Sequence, residues 1–261
     1  MADKLVYDLQ DIKEDRNTNL KPENLKAGIT CLGVEGTYEG DNINDYIAVP
    51  ADMTTIKILD CIKKIPLLDT SKVTSMSYMF QNCTALTTIP LLNTGAVTSM
   101  NGMFYGCTSL TTIPQLDTSK VTIMSSMFQG CTSLTTIPQL DTSKVISMSN
   151  MFSNCTSLTT IPLLNTGAVT NMNNMFYDCT SLTTIPQLDT SKVTSMSNMF
   201  SNCTSLTNDS LNNILAMLTN ATAYTRTKTL KYIGLSETQA TTCTTLSNWA
   251  ACEAAGWTTG Y

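Results

Sequence analysis

The 261-residue sequence contains no histidine. That absence excludes Ser-His-Asp triads, Cys-His dyads, HExxH zinc sites and histidine pH switches. Charge is also scarce, at 13% of residues, which is about half the usual share. The 20 acidic and 15 basic side chains leave a net charge of −5. A generic binder of nucleic acid or anionic membrane should be basic, so neither partner is expected. No run approaches 18 apolar residues, so no membrane-inserted helix is expected. The start, Met-Ala-Asp-Lys continuing through Asp8, Asp11, Glu14 and Asp15, lacks the basic-then-apolar order of a secretory signal, and synthesis in a cytoplasm is expected. No paired-carboxylate, phosphate-loop or nucleophile–base constellation stands out, so no enzyme activity, cofactor or metal is expected. The chain is nevertheless 42% apolar, enough for a sizeable core.

A 24-residue period organises those apolar residues. The six phenylalanines are Phe80, Phe104, Phe128, Phe152, Phe176 and Phe200. Cysteines follow in register from Cys83 to Cys203, and methionine pairs precede them, from Met76 and Met79 to Met196 and Met199. Ile-Pro closes five turns, from Ile89-Pro90 to Ile185-Pro186. The second and fifth repeats share Asn-Thr-Gly-Ala and a Tyr after the Phe, which points to duplication of a three-repeat block.

In one repeat, Leu67 to Pro90, the residues Val73, Met76, Met79, Phe80 and Cys83 are spaced by three and four. That spacing predicts one face of a short helix or helical turn, although Val73 to Met76 could equally be extended. Leu86 to Ile89 reads as a short strand. One repeat buries too little to offset the ordering of its backbone, so repeats must stack into a solenoid. The expected fold is an α/β repeat solenoid: a leucine-rich-repeat-like stack of 24-residue coils with short strands and helical turns, a helical C-terminal cap and a small N-terminal module. The expected boundaries are 1–42 for that module, 43–66 for an N-terminal cap or first coil, 67–210 for six repeats, and 211–261 for a capping repeat. Pro22 could open a short helix ending at Gly28. Leu211, Ile214, Leu215 and Leu218 form a helical stripe, Leu230 to Leu235 matches an LxxLxL strand, and Ser236 with Gln239 has capping-box spacing. The helix that this box opens should run through Ala240, Cys243, Leu246 and Ala250 to Gly256.

Each repeat carries several candidate site columns. The residue before each Cys is Asn, Gly or Asp, types that tolerate positive φ. The column Asp69, Asn93, Asp117, Asp141, Asn165, Asp189 could be a calcium ladder, but Lys three residues after every Asp opposes that. Asx turns at the coil corner, with local Asp–Lys pairs, are the better reading. The cysteine column reads as a buried thiol ladder, though disulfides between coils are geometrically allowed, and Cys243 and Cys252 could pair. The methionines read as core. A ligand face must use variable, exposed positions: Tyr78, Tyr105, Gln129 and Tyr177 are the candidates, set among Ser, Thr, Asn and Gln.

Asp189-Thr-Ser-Lys-Val-Thr-Ser-Met-Ser-Asn-Met-Phe-Ser-Asn-Cys203-Thr-Ser-Leu206 resembles the DTSxVTxMxxMFxxCxxL repeat of BspA-like leucine-rich-repeat proteins. The match recurs from Asp69 onward. Such proteins are bacterial surface adhesins or interaction proteins, and their repeats also occur in phage proteins. The stretch Asn19 to Tyr38 is similar to a short module of tail and appendage proteins from phages of Gram-positive hosts, and Ala254 to Tyr261 resembles the ends of phage repeat proteins. These resemblances imply a virion structural protein, a tail fibre or receptor-binding appendage. Its N-terminal module would bind other virion proteins, and its repeats would bind a host surface glycan or protein, with a homo-oligomer also allowed. A bacterial cell-surface adhesin is the first alternative, and a capsid decoration or architectural protein the second.

Overall fold

The computed structural model describes residues 70–261 throughout. Before them it describes the backbone of six two-residue strands: β1 (Leu5–Val6), β2 (Thr30–Cys31), β3 (Val34–Glu35), β4 (Ile47–Ala48), β5 (Ile56–Lys57) and β6 (Leu68–Asp69). β1 pairs with β5 and β4 with β6 in parallel, and β2 pairs with β3 antiparallel. The helix expected from Pro22 lies outside the described residues, as do the boundaries at 42 and 66.

From Thr70 the chain is a repeat solenoid. One parallel bridge per coil joins Ser75, Ser99, Ile123, Ser147, Asn171 and Ser195. This is the extended alternative for the segment around Val73 to Met76. The Leu86–Ile89 strand is reduced to hydrogen bonds between threonines, with a bridge only at Thr160–Thr184.

The three-and-four spacing after Met76 comes from consecutive tight turns and not from an α-helix. Tyr78 (φ 57°) and Asn82 (φ 60°) are left-handed, so the chain cannot continue helically. Backbone N–H groups alternate between two kinds of partner. Those of Met79, Gln81 and Cys83 close turns onto Met76, Tyr78 and Phe80 in their own coil, at 3.1–3.2 Å. Those of Tyr78, Phe80 and Asn82 donate to Asn101, Met103 and Tyr105 of the next coil, at 2.6–2.9 Å. Both patterns bury the same positions, which is why the sequence cannot separate them.

Each complete coil buries a Val, two Met, a Phe, a Cys, two Leu and an Ile. Burial of each such side chain contributes roughly 1.5–3 kcal/mol. The phenylalanine rings form a continuous column with centroids 5.4–5.7 Å apart and planes within 11° of parallel. The methionines lie in this core, as expected.

The stack ends where Ile-Pro gives way to Asp209-Ser210. The column residue Thr207 becomes the N-cap of α1 (Asn208–Thr219) and accepts from the Ser210 N–H. The stripe Leu211, Ile214, Leu215 and Leu218 is buried, as its spacing predicts. Ser210 Oγ donates to the Thr183 carbonyl at 2.9 Å and accepts from the Ile185 N–H at 3.0 Å. These bonds tie the first turn of α1 to the last coil. Residues Leu230 to Leu235, expected as a strand, form a tight turn. Its Tyr232 and Ile233 carbonyls accept from the Asn198 and Phe200 N–H groups at 2.9 Å. Gly234 (φ 95°) packs against Ser201, where a Cβ would come within 2.8 Å of the Ser201 Cα. A side chain does not fit there.

The Ser236–Gln239 capping box forms and opens α2 (Glu237–Cys243). The single helix expected to reach Gly256 is instead two, with α3 spanning Trp249–Ala254. The Thr244 and Thr245 hydroxyls donate back to the Thr241 and Thr242 carbonyls at 2.7 and 2.8 Å. The Ser247 hydroxyl and the Asn248 N–H bond to the Asn212 side chain, which holds the chain off the helical path.

Candidate interaction surface

Column by column, the coils show which positions are free to meet a ligand. Tyr78, Gly102, Ser126, Asn150, Asn174 and Asn198 all have φ between 52° and 58°. This second left-handed column was not recognised in the sequence. Its Asn-, Gly- and Ser-rich composition was the available signal, masked by Tyr78. The Tyr78 ring lies over Gly102, so that a Cβ on Gly102 would overlap it. Tyr105, Gln129 and Tyr177 are half-buried, as is Tyr78. Tyr105 and Tyr177 occupy equivalent positions three coils apart, and Ser153 between them is buried. The structure therefore spreads the candidate residues along the stack and does not gather them into one pocket.

The corner column makes Asx turns. Asp117, Asp141 and Asp189 accept from the N–H of Ser119, Ser143 and Ser191 at 2.8–3.0 Å, and Asn93 and Asn165 accept from Gly95 and Gly167 at 3.2–3.3 Å. Hydrogen bonds from these serines hold the three carboxyls below the usual carboxylate range. The lysine three residues on adds a smaller push in the same direction. Asp117 pushes Asp141 the other way, a repulsion between like charges on neighbouring coils. The Asp/Asn order of the column leaves 117 and 141 as its one adjacent Asp–Asp pair.

The cysteine column is a ladder of buried thiols. Cys107, Cys131, Cys155, Cys179 and Cys203 donate Sγ–H to the carbonyls of Phe80, Phe104, Phe128, Phe152 and Phe176 at 2.9–3.1 Å. Burial pushes the Cys131 and Cys203 thiols up to about 12. Cys107 is raised first by its hydrogen bond with Cys83 and then by burial. Cys243 and Cys252 are both free, buried thiols, so the pairing considered for them is not made.

Threonines supply further coil-to-coil bonds. The buried Thr70, Thr118, Thr142 and Thr166 hydroxyls donate to carbonyls of the next coil at 2.8 Å. Thr94 is the exception, buried with its hydroxyl unpartnered, and the structure offers no reason. Among the described residues, no group of three or more His, Cys, Asp or Glu could hold a metal ion, and no helix is long and apolar enough to cross a membrane.

A stack of 24-residue coils, sealed by a helical cap and joined through side-chain ladders, defines a leucine-rich-repeat solenoid. The chain belongs to the family described as "Mycoplasma protein of unknown function, DUF285", whose model matches residues 53–160 and 135–230. Among solved structures it is similar to the T. pallidum leucine-rich-repeat protein TpLRR, at 17% identity and TM-score 0.36, over 63% of this chain and 83% of that one. A leucine-rich-repeat protein from Eubacterium ventriosum matches at 20% identity and TM-score 0.33, over 57% of this chain and 45% of that one. A leucine-rich cell surface protein from Faecalibacterium prausnitzii matches at 24% identity and TM-score 0.30, over 59% and 38%. The match thus spans less than half of the last two proteins. No curated protein matches the chain.

Proposed function

We propose that this chain is a non-catalytic recognition protein, a BspA-like adhesive solenoid displayed at a bacterial surface. The observation that carries this reading is the display of equivalent, half-exposed positions on a rigid stack. Tyr105, Gln129 and Tyr177 share one column, with Tyr177 three coils beyond Tyr105. Weak contacts spread along the stack add through effective concentration, so a modest surface can hold a repetitive partner. The partner is a surface glycan or protein. Nucleic acid and lipid are disfavoured by the net charge of −5.

The virion reading rests on the resemblance of residues 19–38 and 254–261 to phage proteins. In that setting the N-terminal module would join the chain to other virion proteins, as part of a tail fibre or a capsid decoration.

The test is binding of the fluorescently labelled full chain to bacterial and animal cells, alongside a Tyr105→Ala/Tyr177→Ala variant. Saturable binding, weakened about 5- to 30-fold in the variant at unchanged melting temperature, is expected from loss of aromatic contacts of roughly 1–2 kcal/mol in total. Absence of binding to any cell would remove the adhesive reading. Immunogold labelling of a lysate separates the two settings: gold on envelopes supports the adhesin, and gold on tail tips or capsids supports the virion protein.

A further inference from the structure

We infer that the face built by residues 84–91, and by their equivalents in the next four coils, binds an extended, uncharged polysaccharide laid along the stack. This inference rests on the recognition reading and names its ligand class.

The face carries no charge. The segments 84–91, 108–115, 132–139, 156–163 and 180–187 contain no Asp, Glu, Lys or Arg. Charges within the coils sit elsewhere, at the Asp/Lys corners and Asp178. Nothing within these segments would compensate an ionic partner, and the nearest charges along the chain, the Asp carboxylates two residues on, would repel an anionic one.

The face is also acceptor-rich. Thr108, Thr132, Thr156 and Thr180 donate their hydroxyl hydrogens to the carbonyl of the equivalent threonine one coil earlier, at 3.2–3.5 Å. Thr111, Thr159 and Thr183 do the same in a second column, at 3.1–3.4 Å. A hydroxyl has one hydrogen and two lone pairs. With those hydrogens spent along the stack, the threonines of these two columns are left as rows of oxygen acceptors. The complementary partner is neutral and rich in hydroxyl donors, which describes a polyol chain.

Order and spacing complete the argument. Successive coils, whose phenylalanine rings stack 5.4–5.7 Å apart in the core, present equivalent threonines in a regular row on the length scale of a sugar unit, so successive sugars meet equivalent threonines. Gln115 and Gln139 are tied to the carbonyls of Gln139 and Leu163 at 2.6 and 2.8 Å, so little side-chain freedom is lost on binding. Leu91 and Leu163, 69% and 60% exposed in the same column, offer apolar contact to the C–H faces of sugar rings.

The experiment is co-sedimentation and calorimetry of the full chain with amylose, mannan and cellulose, and with polygalacturonate as the charged polymer. Thr112→Glu/Thr160→Glu places charge on the face at hydroxyls that bond only within their own coil, so the fold should be retained. Lys120→Ala/Lys144→Ala at the corners is the control. Binding to at least one neutral polymer is expected, rising with oligosaccharide length. It should be lost more than ~10-fold in the glutamate variant and unchanged in the lysine variant, with melting temperatures alike. Cell binding without binding to any neutral polymer would overturn this inference and leave the adhesive reading standing. Preference for polygalacturonate, or retained binding in the glutamate variant, would also overturn it. Failure to bind either cells or polymers would remove both.

Discussion

The thiol of Cys131 donates a hydrogen bond to the carbonyl of Phe104, one coil earlier, at 3.1 Å. That carbonyl already accepts the Cys107 N–H at 3.1 Å, so the thiol fills its second lone pair. The cysteine column is therefore a set of coil-to-coil fasteners as well as apolar filling. Cys131→Ala should leave a small cavity and an under-satisfied carbonyl, at a cost of about 1–3 kcal/mol. Urea unfolding measures the loss, and an unchanged midpoint would show that neither the packing nor the hydrogen bond of the thiol contributes to stability.

Alkaline pH should weaken the fold through the same column. Burial raises the Cys131 and Cys203 thiols to about 12 and Cys243 to about 11. An unfolded cysteine titrates near ~8.5. The neutral thiol is the folded form, so its contribution is complete below the unfolded value and is lost as pH rises through the folded one. Melting temperature should fall from about pH 9 towards 12. At pH 8 these thiols should resist alkylation until the chain is denatured.

Acid should act at the corners. The depressed carboxyls of Asp117, Asp141 and Asp189 bind more weakly to protons in the folded chain than in the unfolded one. Their contribution is present above ~3.9 and is lost as pH falls through the folded values. Asp141→Asn keeps the Asx acceptor and removes the repulsion from Asp117. Because the Ser143 hydrogen bonds outweigh that repulsion, its thermal stability at pH 7 should match or fall slightly below that of the parent, with a smaller loss on acidification.

Gly102 and Tyr78 should be coupled. Gly102→Ala places a Cβ against the Tyr78 ring and on a left-handed residue, and should cost about 1–3 kcal/mol. With Tyr78→Ala the steric part disappears and the backbone part remains. A double-mutant cycle by urea unfolding should therefore give a positive coupling, and strict additivity would contradict the ring-over-glycine packing.

A left-handed backbone at Asn150 makes a fifth test. Asn150→Gly should be nearly neutral, whereas Asn150→Val should destabilise by about 1–3 kcal/mol at a half-buried position. Thermal melts of the two variants distinguish a backbone requirement from a side-chain contact.

Much of the architecture was legible because periodicity reports burial directly. Phe80 to Phe200, the methionine pairs and the cysteine column had to share one core, since no other arrangement hides them all. The Asx corners were legible from Asp, Asn, Ser and Gly at fixed offsets, and the Ser236–Gln239 box from its spacing. Less of the surface could be read. Tyr78 looked like a ligand contact of the same kind as Tyr105, yet its left-handed backbone and its cover over Gly102 give it a structural role.

The repeat length, the buried columns and the helical stripe from Leu211 to Leu218 follow from residue spacing alone. How each coil is bonded depends on its stacked neighbour. The N–H of Phe80 looks for its partner at Met103, and the Cys131 thiol finds Phe104. Local spacing rules describe bonds three or four residues apart, and here half of the turn's N–H groups reach about one repeat along the chain. A helix and a string of left-handed turns bury the same positions, so only the stacked neighbour can choose between them.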